Sequence, residues 1–140
     1  MIIKAEIYTD IFLHYHPAPP EGGGILGMKD GVVCAYIHDD SDPETERAVY
    51  VPNTAFLNDC IQKWADAGIE FCGVVHSHPA GQDTLSSGDL DYIKALYEVN
   101  SGLEKTFSPL VIDGCDMIVY EVKRNGDRII VLPDSLEVVD

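Results

Sequence analysis

The stretch Glu70-Phe71-Cys72-Gly73-Val74-Val75-His76-Ser77-His78-Pro79 decides how the chain folds. It alternates and then runs apolar through His76, the pattern of a strand buried on both faces in the middle of a sheet. A loop over Pro79–Leu85 follows. Ser86 then opens a helix that runs to about Val99, with Leu90, Ile93, Leu96 and Tyr97 on one face. Histidines at a strand end, a short loop and an acidic first helical turn put polar chemistry at the edge of a hydrophobic sheet.

Working outward, Ile2–Ile7 reads as a strand and Tyr8–His16 as a short helix or a second strand. Pro17-Ala18-Pro19-Pro20 ends whatever precedes it, because proline removes a donor and fixes φ. Gly23–Gly27 and Gly31–Ile37 read as strands joined at Lys29-Asp30-Gly31, where Asp-Gly is a hairpin signal. His38–Glu46 reads as an exposed acidic loop and Arg47–Val51 as a strand. Asn53 caps a helix to about Ala67, with Leu57, Ile61 and Trp64 at helical spacing and Gly68 as its stop. Beyond the second helix, Ser108–Ile112, Met117–Val122 and Arg128–Leu132 read as strands, with Asn125-Gly126 turning the last hairpin. The expectation is an α/β (α+β) domain, a mixed β-sheet flanked by two main helices, spanning residues 1–140 as one unit.

The bulk properties agree with that expectation and exclude some functions. A chain of 140 residues with 46% hydrophobic and 24% charged residues suits one globular core. No apolar run approaches the roughly 20 residues that span a bilayer. The N-terminus, Met1-Ile2-Ile3-Lys4-Ala5-Glu6, lacks the basic flank and apolar core of a signal peptide. A cytoplasmic location is therefore expected. Asp and Glu number 24 against 9 Lys and Arg, a net charge of -15. Nucleic acids and anionic membranes draw affinity from Lys and Arg, so neither is an expected partner. The four cysteines, Cys34, Cys60, Cys72 and Cys115, form no CxxC pair and read as small buried hydrophobes rather than disulfides or ligands.

The chemistry concentrates at His76, His78 and Asp89. Residues i and i+2 of a strand share a face, so the two imidazoles can converge on one ion. Asp89, in the first turn of the next helix, can return a carboxylate over the strand end. Two imidazoles and a carboxylate suit zinc, with iron or manganese as alternatives. Three protein ligands leave a fourth position for water, whose pKa the ion lowers towards about 7. A general base is then needed nearby. Glu21 is the best candidate, ahead of Gly22-Gly23-Gly24, where backbone can approach a neighbour closely. Ser86 can donate a hydrogen bond to the oxyanion of a scissile carbonyl.

These residues together resemble the JAMM (MPN+, JAB) metalloprotease family. Its signature joins an upstream glutamate to HxHP, a loop and SxxD, which here are Glu21, His76-Ser77-His78-Pro79 and Ser86-Ser87-Gly88-Asp89. Pro20-Glu21-Gly22-Gly23-Gly24-Ile25-Leu26-Gly27 is similar to the family's glycine-rich element, although the glycine after Ile25-Leu26 arrives one residue early. The resemblance covers most of the chain. It implies a JAB/MPN-like (cytidine-deaminase-like) fold and a zinc isopeptidase or peptidase. His76, His78 and Asp89 would be the ligands, Glu21 the acid/base and Ser86 the oxyanion donor. It also implies a protein or peptide substrate, such as a ubiquitin-like protein cut at its Gly-Gly tail or a β-grasp sulfur carrier. The short chain resembles the compact prokaryotic members.

Plainer readings stand beside these. Ser-x-x-Asp before a helix is also a capping box, and Ser86 divides evenly between cap and oxyanion donor. Glu21 alone would read as a solvated loop acid, which the resemblance overturns. His14 and His16 form a second HxH pair with no acid at useful spacing and read as structural or exposed. Asp39, Asp40 and Asp42 lack the spacing and closing glutamate of a calcium loop. At the level of function the alternatives are a non-catalytic MPN-type binding module and a RadC-like, DNA-associated protein. The RadC proteins share an HxHPxG…SxxD motif, but the acidic balance disfavours a DNA-facing surface.

Overall fold

The computed structural model describes residues 1–14, 22–39, 54–99 and 102–140. In chain order the elements are β1 (Ile2–Lys4), α1 (Ala5–His14), β2 (Gly23–Lys29), β3 (Val32–Asp39), α2 (Thr54–Asp66), β4 (Glu70–His78), α3 (Ser87–Val99), β5 (Lys105–Ile112), β6 (Asp116–Asn125), β7 (Arg128–Asp134) and β8 (Glu137–Val139). Glu21, His16, the proline cluster, most of the acidic loop, the strand expected at Arg47–Val51 and the Asn53 cap lie outside the described residues.

The eight strands form one mixed sheet in the order β7-β6-β5-β4-β2-β3-β1-β8. β4 is central, antiparallel to β2 on one side and parallel to β5 on the other. Parallel neighbours need a crossover, which α3 supplies. The sheet is strongly curled. β7 and β8 are its opposite edges, yet only Ser135 and Leu136 separate them in the chain. The Met1 ammonium group bridges that junction, donating to Asp134 Oδ2 and to the Ser135 carbonyl, each at 2.6 Å.

Each face of the sheet has its own core. On one, Ile11 of α1 packs with Ile3, Leu26, Val33, Val75, Val111 and Val119. On the other, α2 packs Leu57, Cys60 and Trp64 against Ile25, and α3 packs Ile93 and Tyr97 against Val122. The Tyr97 hydroxyl donates to the Val122 carbonyl at 2.6 Å, fixing α3 over β6. Among the described residues no helix is long and apolar enough to cross a membrane.

Several expectations change. The strand expected over Ile2–Ile7 stops at Lys4, and Ala5–His14 is helical, with Ile7, Tyr8, Ile11 and Phe12 at helical spacing and packed in the core. The acidic stretch from His38 does not begin as an exposed loop. His38 and Asp39 continue β3, and Asp39 is buried opposite Gly23. The Asp30-Gly31 turn is as expected, with positive φ at both residues, as a tight two-residue hairpin requires. All four cysteines are free thiols. Cys60 and Cys72 are buried and Cys34 is partly so, whereas Cys115 is exposed in the turn between β5 and β6.

Candidate functional site

β4 runs two residues further than the sequence pattern indicated, through His78, so both imidazoles stand on one strand and, two residues apart, on one face. β2 flanks that strand through a compact exchange. The Ser77 N–H donates to the Gly22 carbonyl at 2.9 Å, and the Gly22 N–H donates to Ser77 Oγ at 2.6 Å. The backbone immediately after Glu21 is thereby held against the residue between the two histidines.

Asp89 lies over the strand end from the first turn of α3. Its Oδ2 is 3.2 Å from His78 Nε2, and its Oδ1 is 3.7 Å from His76 Nε2. His76, His78 and Asp89 are 3%, 4% and 8% exposed, so the cluster is nearly dry. A carboxylate buried to that degree must be compensated. Part of the compensation is the helix start itself. The Ser86 N–H donates to Asp89 Oδ2 at 2.9 Å, and the Asp89 N–H donates to Ser86 Oγ at 3.1 Å. This reciprocal pair is a capping box, so the cap reading of Ser86 is realised in the structure. Asp89 serves the helix start and the histidine cluster with one carboxylate.

The loop 79–86 is braced from several directions. The His78 Nδ1–H donates to the Gln82 carbonyl at 3.0 Å. Gln82 N–H donates to the Pro79 carbonyl, and the Tyr120 hydroxyl donates to the Asp83 carbonyl at 2.6 Å. Because a carbonyl only accepts, the first of these bonds fixes a proton on Nδ1 of His78 and aims Nε2 at Asp89.

Electrostatics follow from burial. Burial pulls the His76 pKa down to about 4; the nearby Asp89 charge opposes this and His78 adds to it. Burial acts on Asp89 in the opposite sense, but the hydrogen bond with His78, the His76 charge and the Ser86 amide outweigh it and hold that carboxyl at about 2. The site thus pairs a neutral buried imidazole with a carboxylate that stays ionised.

Two participants had no distinct signal in the sequence reading. Tyr92 meets the His76 ring edge-on, with centroids 6.4 Å apart. It stands three residues after Asp89, one helical turn on, and that spacing is the clue available in the sequence. The Gln82 carbonyl is a backbone group, which side-chain motifs do not reveal.

The structure thus brings together His76, His78, Asp89 and Ser86, and Glu21 lies outside the described residues. Among the described residues, no group of three or more His, Cys, Asp and Glu side chains has the geometry of an assembled ion site. His14, from the second HxH pair, is half-exposed at the end of α1 and stacks on His38 at 4.8 Å, away from this cluster on the α1 side of the sheet.

No protein-family model and no curated protein matches the chain. Solved structures do. A protein from Desulfitobacterium hafniense is 18% identical with a TM-score of 0.67, over 100% of this chain and 94% of that one. A JAB1/MPN domain protein from Archaeoglobus fulgidus is 20% identical with a TM-score of 0.57, over 100% of both chains. A protein from Salinibacter ruber is 19% identical with a TM-score of 0.57, over 100% of this chain and 92% of that one. At these identities the likeness is one of fold, and the fold is MPN-like.

Proposed function

We propose that the chain is a zinc-dependent peptidase or isopeptidase of the JAMM type, acting on a protein or peptide substrate such as the Gly-Gly tail of a ubiquitin-like or β-grasp sulfur-carrier protein. One observation carries the proposal. With the Nδ1 proton of His78 committed to Gln82, Nε2 of a neutral ring would be an acceptor facing the Asp89 carboxylate 3.2 Å away. Two acceptors at that distance require a positive charge between them, either a proton or a metal ion. Ligands about 2.0–2.1 Å from a tetrahedral zinc lie roughly 3.3–3.4 Å from each other. The separations of 3.2 and 3.7 Å from Asp89 to the two imidazoles bracket that value.

His76, His78 and Asp89 would hold the ion. Zinc supplies a Lewis acid that polarises a carbonyl and activates water. His76, neutral above about pH 4, has one ring nitrogen whose lone pair would be available to an ion. The Gln82 carbonyl orients His78, and the capping box orients Asp89. Glu21 would take a proton from water at its carboxylate and pass it to the leaving amine. Ser86 Oγ accepts from the Asp89 amide, which leaves its own O–H to donate to an oxyanion, so cap and donor are compatible roles for one hydroxyl. A cytoplasmic location is part of this proposal.

A second reading is favoured by one observation, the lack of an assembled ion site among the described residues. In a non-catalytic MPN-type binding module, His78 would carry the second proton and pair with Asp89 as a buried salt bridge. Metal analysis of the purified chain after zinc loading and dialysis separates the two. The peptidase reading expects one zinc per chain, lost on His76→Ala or His78→Ala. A chain that retains no metal yet binds a partner favours the module.

A further inference from the structure

A gap between α2 and α3 opens beside the candidate site. α2 ends just before β4 begins, and α3 starts just after β4 ends, so both helices run antiparallel to β4 with their first turns at the His78 end. Between them lies a pocket of about 240 Å³ lined by Ile25, Leu57, Ile61, Phe71, Tyr92 and Leu96, with Ala95 and Asn58 at its edges. It continues into a wider trough of about 490 Å³ that reaches Glu70 and Leu103.

We propose that this pocket receives one large apolar side chain of the polypeptide substrate, a few residues from the bond to be cut. The inference rests on the peptidase reading and adds a specificity to it. Tyr92 carries the argument, because one ring both walls the pocket and meets His76 edge-on. Whatever fills the pocket is thereby separated from His76 by one aromatic ring. Its chemistry follows from the lining. Ile25 and Leu57 form a buried floor, and no charged side chain is among the described residues of the inner pocket. Its size sets the scale. Sites that bury a drug-sized ligand hold about 300–1,000 Å³, so this smaller one suits a single side chain such as leucine or phenylalanine.

Pentapeptides Gly-Gly-X-Gly-Gly, with X alanine, leucine or phenylalanine, test this in two ways. In amide correlation spectra of the full chain, the leucine and phenylalanine peptides are expected to shift the Ile61, Ala95 and Leu96 amides and to bind about tenfold or more tighter than the alanine peptide. In cleavage by the zinc-loaded chain, the same preference should appear in kcat/KM and vanish in Ala95→Trp, whose ring fills the pocket. Should the variant not fold, the spectra of the unaltered chain decide. Groove shifts without cleavage of any peptide, in a chain that does cut Gly-Gly-tailed fusion proteins, leave the pocket as a peptide-binding site and overturn its role in choosing the bond to be cut. Cleavage without preference and without groove shifts sinks the pocket alone. Groove amides that move with protein concentration in the absence of peptide assign the gap to a second copy and overturn the proposal.

Discussion

His78 Nε2 lies 3.2 Å from Asp89 Oδ2 while the opposite nitrogen of the same ring donates to the Gln82 carbonyl. The carboxylate also accepts from the Ser86 amide, so it is shared between a helix start and two imidazoles. Asp89→Asn separates these duties, because an asparagine oxygen can still accept in the capping box but carries no charge for an ion. Zinc affinity should fall by at least about 100-fold, since loss of an outer-shell partner alone typically costs 10–100-fold. Competition with a chromophoric chelator measures it, and an unchanged affinity would remove Asp89 from the ligand set.

Ser86→Ala should cost about 1 kcal/mol of stability through the lost cap. If the hydroxyl also donates to an oxyanion, kcat should drop by about 10²-fold or more at a temperature where both proteins are folded. A variant that loses stability but keeps kcat is a cap and nothing else.

Gly73 sits where β4 passes close to β5. A Cβ there would lie 2.2 Å from the Phe107 carbonyl oxygen, which is backbone and cannot step aside. Gly73→Ala is therefore expected to destabilise by about 1–3 kcal/mol or more, read from the denaturant midpoint. An unchanged midpoint would mean that β4 and β5 are not paired in this register.

Such close contacts show what the sequence displayed and what it hid. The strand from Glu70 to His76, which continues to His78, and the helix after Ser86 were legible because their apolar patterns have clear periods and a capping pair opens the helix. Helix α1 was not, because Ile2, Ile3 and Ile7 favour strands locally and only docking of Ile11 against Val33 and Val75 decides for helix. β8 escaped notice because three residues, Glu137–Val139, carry no period of their own and become a strand only by pairing with β1. Asp39 looked solvated by its acidic neighbours, and its burial depends on pairing with Gly23. The ligand candidates were readable from residue type and spacing, whereas Tyr92 needed the helix to place it over His76.

The metal-free protein should lose stability as pH falls. Unfolded, His76 takes a proton near pH 6.5; folded, burial delays this to about 4. Between those values protons favour the unfolded chain, so stability declines as pH drops through that window. Asp89, held at about 2 against 3.8, adds a further loss in the same direction below it. Denaturant midpoints measured across the range check the slope, and a flat profile would place His76 in contact with water.

Thiol labelling should follow exposure. Burial, reinforced by Cys34 and Glu70, pushes the Cys72 thiol up to about 12, and Cys115 is exposed. Iodoacetamide is expected to modify Cys115 first and to spare Cys72 until the protein unfolds. Mass-spectrometric mapping showing early Cys72 labelling would contradict the packing around β4.

Cleavage by the zinc-loaded chain bears most directly on the proposed activity. Gly-Gly-tailed fusion proteins incubated with the unaltered chain should yield products of defined mass, and a chelator should abolish their formation until zinc is restored. Glu21→Gln should keep its zinc and lose about 10²-fold or more in rate. Cleavage that persists at the normal rate without metal, or in Glu21→Gln, would contradict a zinc peptidase built on Glu21, His76, His78 and Asp89.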